Sequence, residues 1–347
     1  MGTKLAINGG EKAIIGKFPD WPVRDEAEVK NLEEVIKSGV WGIKGQNIED
    51  FSKEFAAVHG IDYVLPVVNG TIAIDLAIEA LGLEKGDEAI IPDYTFMATA
   101  VAPLRRGIKP LLVDVDPDTF CIDPNLIEKA ITKRSKLIIP VHFGGHPCEM
   151  EEIMKIAEKH GLKVIEDCAH AHGALWKGAP VGSFGNIGTF SFQSSKTLSC
   201  GEGGAVVSTD KDTYFDCWQV HNAGRNPGEP DYNHYLNGTN YRISEFQAAV
   251  LRAQLEKFKS QSVMRDKNGK LLTGLLSQIP GVKPQKRDER VGRHGHYLFT
   301  FLLDEKYERE KFKKALHAEG VPLQLEYPAI HTLDFMARAG LHKGVFP

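Results

Sequence analysis

The chain is poor in several features that would narrow its class at once. Its five cysteines (Cys121, Cys148, Cys168, Cys200, Cys217) are odd in number and scattered, and no CxxC pair occurs. That argues against a disulfide framework or a cysteine-held zinc cluster, and reduced thiols in a cytoplasm are the plain expectation. No apolar run approaches the roughly 18 residues of a membrane span. Residues 1–16 mix Lys4, Asn8, Glu11 and Lys12 among small residues, so they lack the apolar core of a signal peptide. Charge of one sign is also missing: 42 Lys and Arg stand against 46 Asp and Glu, a net −4. A general nucleic-acid binder would need a basic face, so none is expected. No internal repeat or low-complexity tract is present. What remains is ordinary, with 42% hydrophobic and 25% charged residues, enough apolar material to offset chain entropy. A length of 347 residues suits one large domain plus a smaller one.

Residues 60–210 alternate short apolar runs with amphipathic stretches. Tyr63–Val68 reads as a buried strand, followed by Asn69-Gly70-Thr71 and a helical stretch over Ile72–Leu81. Strands are expected at Ala89–Ile91, Pro110–Val115, Lys136–Val141 and Lys163–Asp167, and helices at Ala98–Arg105, after Asp123-Pro124, and over Glu149–His160. Gly161 stops the last of these as a C-cap would. This alternation predicts an α/β fold with a mostly parallel central sheet covered by helices. Ligands of such sheets bind beyond the carboxyl ends of the strands. The residues there are Asn69-Gly70-Thr71, Asp93-Tyr94-Thr95-Phe96, His142, Asp167-Cys168-Ala169-His170 and the segment after Phe192.

Beyond residue 210 the pattern changes. Ser244–Gln261 is expected as a long amphipathic helix with Phe246, Val250, Leu251, Leu255 and Phe258 on one stripe. Lys283–Arg293 is polar and basic and reads as an exposed connection. Tyr297–Leu303 is expected as a strand and Glu308–Glu319 as a helix ending at Gly320. The expected division is a large domain over 1–260, with an N-terminal arm over 1–20, and a smaller C-terminal α+β domain over 261–347. The chain ends at Gly344-Val345-Phe346-Pro347 without a recognisable closing element.

The run from Gly188 to Ala205 carries the most chemistry. A strand delivers a small polar cluster, then Lys196, then a glycine-rich turn and a further strand over Ala205–Ser208. Lysine in such a place is a phosphate ligand, a surface charge or a Schiff-base amine. Asp167 ends an apolar strand, where a carboxylate is costly without a partner. A helix cap or an ion pair would satisfy it. So would the protonated ring nitrogen of pyridoxal phosphate, which turns that ring into an electron sink. Gly70-Thr71 opens a helix straight after a strand, a place suited to a phosphate or simply to a capped turn. Phe96 would stack on a flat ring or join the core. His170 would bond a cofactor oxygen or be a satisfied structural group. Ser191 alternates with Phe190 and Phe192 and so faces away from both, where a phosphate-binding hydroxyl is useful.

Taken in order, these residues closely resemble the fold-type I pyridoxal-phosphate aminotransferases of the sugar aminotransferase family, often called DegT/StrS. The matching motifs are Asn69-Gly70-Thr71, Asp93 to Ala100, Pro140 to Gly145, Glu166 to Gly173, Phe190 to Gly204 and Asn240 to Ala249. The resemblance spans roughly residues 18–340. It implies Lys196 as the Schiff-base lysine and proton shuttle, Asp167 as partner of the pyridine nitrogen, and Phe96 as the stacking aromatic. It implies Gly70, Thr71 and Ser191 as the phosphate cradle, and Asn240 as a phosphate ligand given across a homodimer interface. His170 stands where many members have glutamine, and the His170-Ala171-His172-Gly173 form resembles the 3-amino-5-hydroxybenzoate synthase branch. Cyclitol (inosose) aminotransferases share the wider pattern. A dehydrating branch with histidine at the lysine position is disfavoured by Lys196, because imidazole does not form the cofactor imine.

The expected activity is transfer of an amino group from glutamate or glutamine to a keto sugar or keto cyclitol. The alternatives are an aromatising 3-amino-5-hydroxybenzoate synthase and a cofactor-binding regulatory protein without catalysis. Family members usually continue for several tens of residues, so the resemblance also implies an incomplete small domain here. No metal, nucleic-acid or membrane partner is expected.

Overall fold

The computed structural model describes residues 4–228, 232–324 and 327–341. The expected ending at Gly344-Val345-Phe346-Pro347 lies outside the described residues. Two helices, α1 (Glu26–Ser38) and α2 (Gln46–His59), come first. The expected alternation follows as β1 (Tyr63–Val67), α3 (Gly70–Ala80), β2 (Glu88–Pro92), α4 (Ala98–Arg105), β3 (Lys109–Val113), α5 (Pro124–Ala130), β4 (Ser135–Ile138), α6 (Met150–His160) and β5 (Lys163–Asp167). A small hairpin of β6 (Leu175–Trp176) and β7 (Ala179–Pro180) leads to β8 (Ile187–Ser191), β9 (Gly204–Ser208) and α7 (Lys211–His221).

Seven strands form one sheet in the order β1-β9-β8-β5-β4-β2-β3. Strand β9 is antiparallel to both of its neighbours, and the remaining pairs are parallel. The carboxyl ends of β1, β2, β4, β5 and β8 therefore share one edge, which is where the candidate residues lie. Local chemistry sets the elements. Asn69 caps α3 by accepting from the Ile72 N–H at 2.9 Å. Asp123 caps α5 with Pro124 in its first turn, and Gly161 ends α6 at φ +64°.

Both faces of the sheet are covered. Phe190 and Phe192 pack with Phe51, Phe55 and Phe258 in one apolar cluster. Each is fully buried or nearly so, a burial that stabilises by roughly 1.5–3 kcal/mol per side chain. Ser191, between them, points the other way, as the alternation requires.

The helix α8 spans Glu245–Leu276, fifteen residues beyond the expected end at Gln261. Its buried stripe runs on from Leu251, Leu255 and Phe258 through Ser262, Asp266 and Gly269. The helical spacing persists while the residues turn polar or small, so hydrophobic periodicity alone loses it. Asp266 pairs there with Arg287 and Lys270. A Cβ at residue 269 would lie 2.2 Å from the His296 ring, so glycine admits that imidazole. The 260/261 division expected from sequence falls inside this helix.

Residues 283–293 are not the exposed connection expected. Strand β10 (Val282–Pro284) pairs with β12 (Phe301–Leu303), and β11 (Val291–Arg293) pairs with β6. Val291 is buried, and Arg287 and Arg290 are held in ion pairs with Asp266, Asp288 and Glu149. The basic character is spent on packing the segment down. The strand expected over Tyr297–Leu303 shrinks to Phe301–Leu303, because Tyr297 turns toward the lysine loop. Helix α9 (Arg309–Ala318) matches its expected place, and a short α10 (Asp334–Arg338) follows.

Candidate active site

The turn after β1 and the end of β8 touch. A Cβ at residue 70 would sit 2.7 Å from the Ser191 Cβ, closer than side-chain carbons approach. Glycine is therefore what lets the first turn of α3 lie against Ser191. That contact gathers the backbone N–H groups of the helix start, the Thr71 residue and the Ser191 hydroxyl in one place. An anion is favoured there by unpaired N–H donors and the positive helix end.

Asp167 closes β5 and is 5% exposed. Its carboxylate accepts from the Thr99 hydroxyl at 2.9 Å and the Ala169 N–H at 3.1 Å. Burial pushes its carboxyl up, and those two donors together with the Lys196 charge oppose the shift. Two donors leave carboxylate lone pairs unused. Thr99 was missed as a site residue by sequence reasoning. Its signal was local, since Thr95 and Thr99 are four apart at the start of α4 with their hydroxyls 3.3 Å from each other.

Lys196 lies in the hairpin loop between β8 and β9. Gln193 organises that loop: its Oε1 accepts from the Ser195 N–H and hydroxyl at 2.8 and 2.7 Å. The Lys196 N–H donates to the Gln193 carbonyl at 2.8 Å. The residue is buried, and its Nζ rests 4.2 Å from the centre of the Tyr297 ring. Burial brings the amine down to about 8, against the pull of Asp167. An amine near neutrality can act as both nucleophile and proton carrier.

The neighbouring Glu166 points to the opposite face. It accepts from the backbone N–H groups of Gly182, Phe184 and Gly185 at 2.8, 2.7 and 2.8 Å, and from His142 at 3.0 Å. His142 takes the Cys148 N–H on its other nitrogen at 2.9 Å, so its ring is fully used. His142 ends up as a buried structural group rather than a ligand-facing one. Cys168 lies within 4.8 Å of both, but the carboxylate and imidazole already have protein partners.

His170 is buried, and its Nδ1 accepts from the Gly144 N–H at 3.4 Å, which leaves the proton on Nε2. Burial, with the Lys196 charge nearby, pushes its pKa well below the ordinary value, so it is neutral. Its ring lies 4.5 Å from Tyr297 and is stacked 6.0 Å from Tyr327. Phe96 is 47% exposed, edge-on to Tyr327 at 6.2 Å, and is not a core residue. Asn240 is exposed and forms a bridge pair with Asn222, while its side-chain oxygen accepts from the Arg242 N–H at 3.3 Å. Tyr297 and Tyr327 gave no signal in the sequence. Tyr327 arrives because the chain beyond it docks on a strand end: Ile330 and His331 donate N–H bonds to Asp93 at 2.7 and 2.9 Å.

A lysine loop facing a strand-end aspartate, above a mostly parallel sheet, is the arrangement of the fold-type I pyridoxal-phosphate transferases, and the likeness to solved structures agrees. A 3-amino-5-hydroxybenzoic acid synthase structure superposes with a TM-score of 0.88 at 38% identity, over 92% of this chain and 84% of that one. Within that class the chain belongs to the DegT/DnrJ/EryC1/StrS aminotransferase family, whose model matches residues 22–346. The 3-amino-5-hydroxybenzoate synthase of Amycolatopsis mediterranei is 39% identical over 92% of this chain and 83% of its own length. The L-glutamine:2-deoxy-scyllo-inosose aminotransferase of Streptomyces lividus is 36% identical over 88% and 75% respectively. The protein is thus an aminotransferase by family.

Proposed function

We propose that the chain uses pyridoxal phosphate to move an amino group from glutamate or glutamine to the ketone of a cyclitol or sugar, with Lys196 as the reacting amine. The observation that carries this reading is the buried, near-neutral Lys196 facing Asp167 beside the Gly70–Ser191 contact. The residues fit the cofactor: the helix start with Thr71 and Ser191 suits its phosphate, Asp167 its ring nitrogen, Phe96 one ring face, and the His170 Nε2–H its phenolic oxygen. When bound, the cofactor supplies the carbonyl that carries the amino group and a ring that spreads negative charge.

The chain's own residues do the rest. Asp167, dry and hydrogen-bonded by Thr99, holds a positive charge opposite its free lone pairs. Lys196, as a neutral amine, would hold the cofactor until the donor's amine takes its place, and its Nζ would then take up a proton and return it. Its lowered pKa suits both roles near neutral pH. His170, neutral, donates without adding charge.

The relatives favour the substrate class, since L-glutamine:2-deoxy-scyllo-inosose aminotransferase lies among them. A second reading, 3-amino-5-hydroxybenzoate synthesis, is favoured by the 39% identical synthase and by the His170-Ala171-His172-Gly173 segment. We also propose a cytoplasmic homodimer in which exposed Asn240 reaches the neighbouring subunit's phosphate site. The deciding experiment loads the protein with pyridoxal phosphate, adds glutamine or glutamate, and follows the visible cofactor band. Bleaching, followed by its return with an inosose or keto sugar, is expected. Loss of water from the aminohydroxybenzoate precursor on the unbleached protein, with no ketone restoring the band after bleaching, would select the second reading, and no spectral change with any amino acid would favour a non-catalytic role.

A further inference from the structure

We propose that Tyr297 is a positioning residue that holds the Lys196 side chain in the site through its ring face, while its own hydroxyl is anchored to the lysine loop. This rests on the assignment of Lys196 as the reacting amine. Tyr297 lies a hundred residues downstream in sequence, yet its ring centre is 4.2 Å from the Lys196 Nζ. Among the described residues no carboxylate, carbonyl or hydroxyl accepts a hydrogen bond from that amine. The ring is its near neighbour, and a π face attracts the ammonium form.

The hydroxyl geometry fixes where the ring can be. Ser195 spends its one O–H proton on the Gln193 Oε1 at 2.7 Å. Its contact with the Tyr297 oxygen at 2.9 Å must then be one in which tyrosine donates. Gln193 is itself locked, because its Oε1 also accepts the Ser195 N–H. The phenol therefore hangs from the same loop that carries the lysine, so ring and amine move together. On its other side Tyr297 meets His170 at 4.5 Å. A side chain placed this way restrains a long flexible amine that would otherwise sample many rotamers.

The charged and titratable groups facing Lys196 are Asp167, His170 and His172, together with the Tyr297 phenol and its neighbour Tyr327. Asp167 favours the ammonium. The two histidines are buried and neutral, so they contribute no charge of their own.

The test needs no bound cofactor. The full-length chain, freed of cofactor, is labelled competitively with acetic anhydride across pH 6–11, and the Lys196 peptide is quantified by mass spectrometry. Tyr297→Leu removes the ring, and the Lys196 titration is expected to move down by about half a unit to one and a half units, the size of a cation–π contact. Tyr297→Phe keeps the ring and loses only its anchor to Ser195, so its titration should fall by less than that of leucine. Pentafluorophenylalanine at position 297 keeps the volume and inverts the charge of the ring face, so it should lower the titration like leucine even where leucine fails to fold. An unchanged titration with the fluorinated ring, or an equal drop with Phe, would overturn the proposal. Absence of a visible band when pyridoxal phosphate is added to the parent would instead overturn the reading of Lys196, and the labelling would be unaffected by it.

Discussion

Strand β5 ends in two adjacent carboxylates that have opposite fates. Glu166 accepts four hydrogen bonds, three from backbone N–H groups and one from a histidine whose other nitrogen is also occupied. Asp167 accepts two and faces an amine that rests on a ring. Both are buried, so both bear the cost of desolvation. The first is fully compensated by the protein and has nothing left to offer a ligand. The second keeps lone pairs and a titratable partner in reserve. Burial alone therefore does not tell the two carboxylates apart; the number of donors each accepts does.

The sharpest attack on this contrast removes the reserve. Lys196→Ala should lower turnover by at least about a thousandfold and abolish the visible band of bound pyridoxal phosphate, because nucleophile and proton carrier vanish together. Full transaminase activity in that variant would sink the site assignment. Glu166→Ala breaks the saturated pair and leaves His142 and three N–H groups unpaired. It should cost roughly 3–5 kcal/mol in urea unfolding. A variant as stable as the parent would show that Glu166 is not a structural group.

A pH experiment weighs the buried lysine. In the unfolded chain Lys196 titrates near 10.5, in the folded chain near 8. Below 8 both states are protonated and the cost of the buried charge is fully present. Between 8 and 10.5 only the unfolded chain holds the proton, so stability rises with pH through that window. The gain is on the order of 3 kcal/mol. Lys196→Met should lack it, and the difference between the two urea curves isolates this residue from other groups that titrate there. Curves that stay parallel across the window would contradict the buried ammonium.

The smallest effect concerns the donors of Asp167. Thr99→Val removes one hydrogen bond to a carboxylate, at about 1.5–3 kcal/mol. Loss of that donor disfavours the ionised form, so the acid limb of the kcat/KM profile should move to higher pH. An unmoved limb would show that Thr99 does not tune Asp167.

Much of the site was legible locally. Asn69 as a cap, Asp167 at a strand end, Ser191 opposite two phenylalanines and Lys196 before a glycine-rich turn each follow from neighbours a few residues away. Other features were hidden for identifiable reasons. Helix α8 outran its apolar stripe because Ser262, Asp266 and Gly269 continue it with polar partners and a close approach. The basic run 283–293 looked solvated because its acidic partners, Asp266 and Glu149, lie far away in sequence. His142 stood among the residues just after the strand ends, and only its contacts with Glu166 and the Cys148 N–H show that the protein itself uses both ring nitrogens.

By itself the sequence determined the alternation of strands and helices over residues 60–210, the caps at Asp123 and Gly161, and which residue types stand at the carboxyl ends of those strands. These depend on short-range periodicity and backbone chemistry, which a linear chain displays directly. The tertiary structure decided who partners whom: that Glu166 is saturated and Asp167 is not, that Thr99 serves Asp167, and that Tyr297 closes on the lysine loop while Tyr327 stacks on His170. Those outcomes depend on hydrogen-bond valence and burial, which are settled only when residues from 16 to more than a hundred positions apart share one dry space.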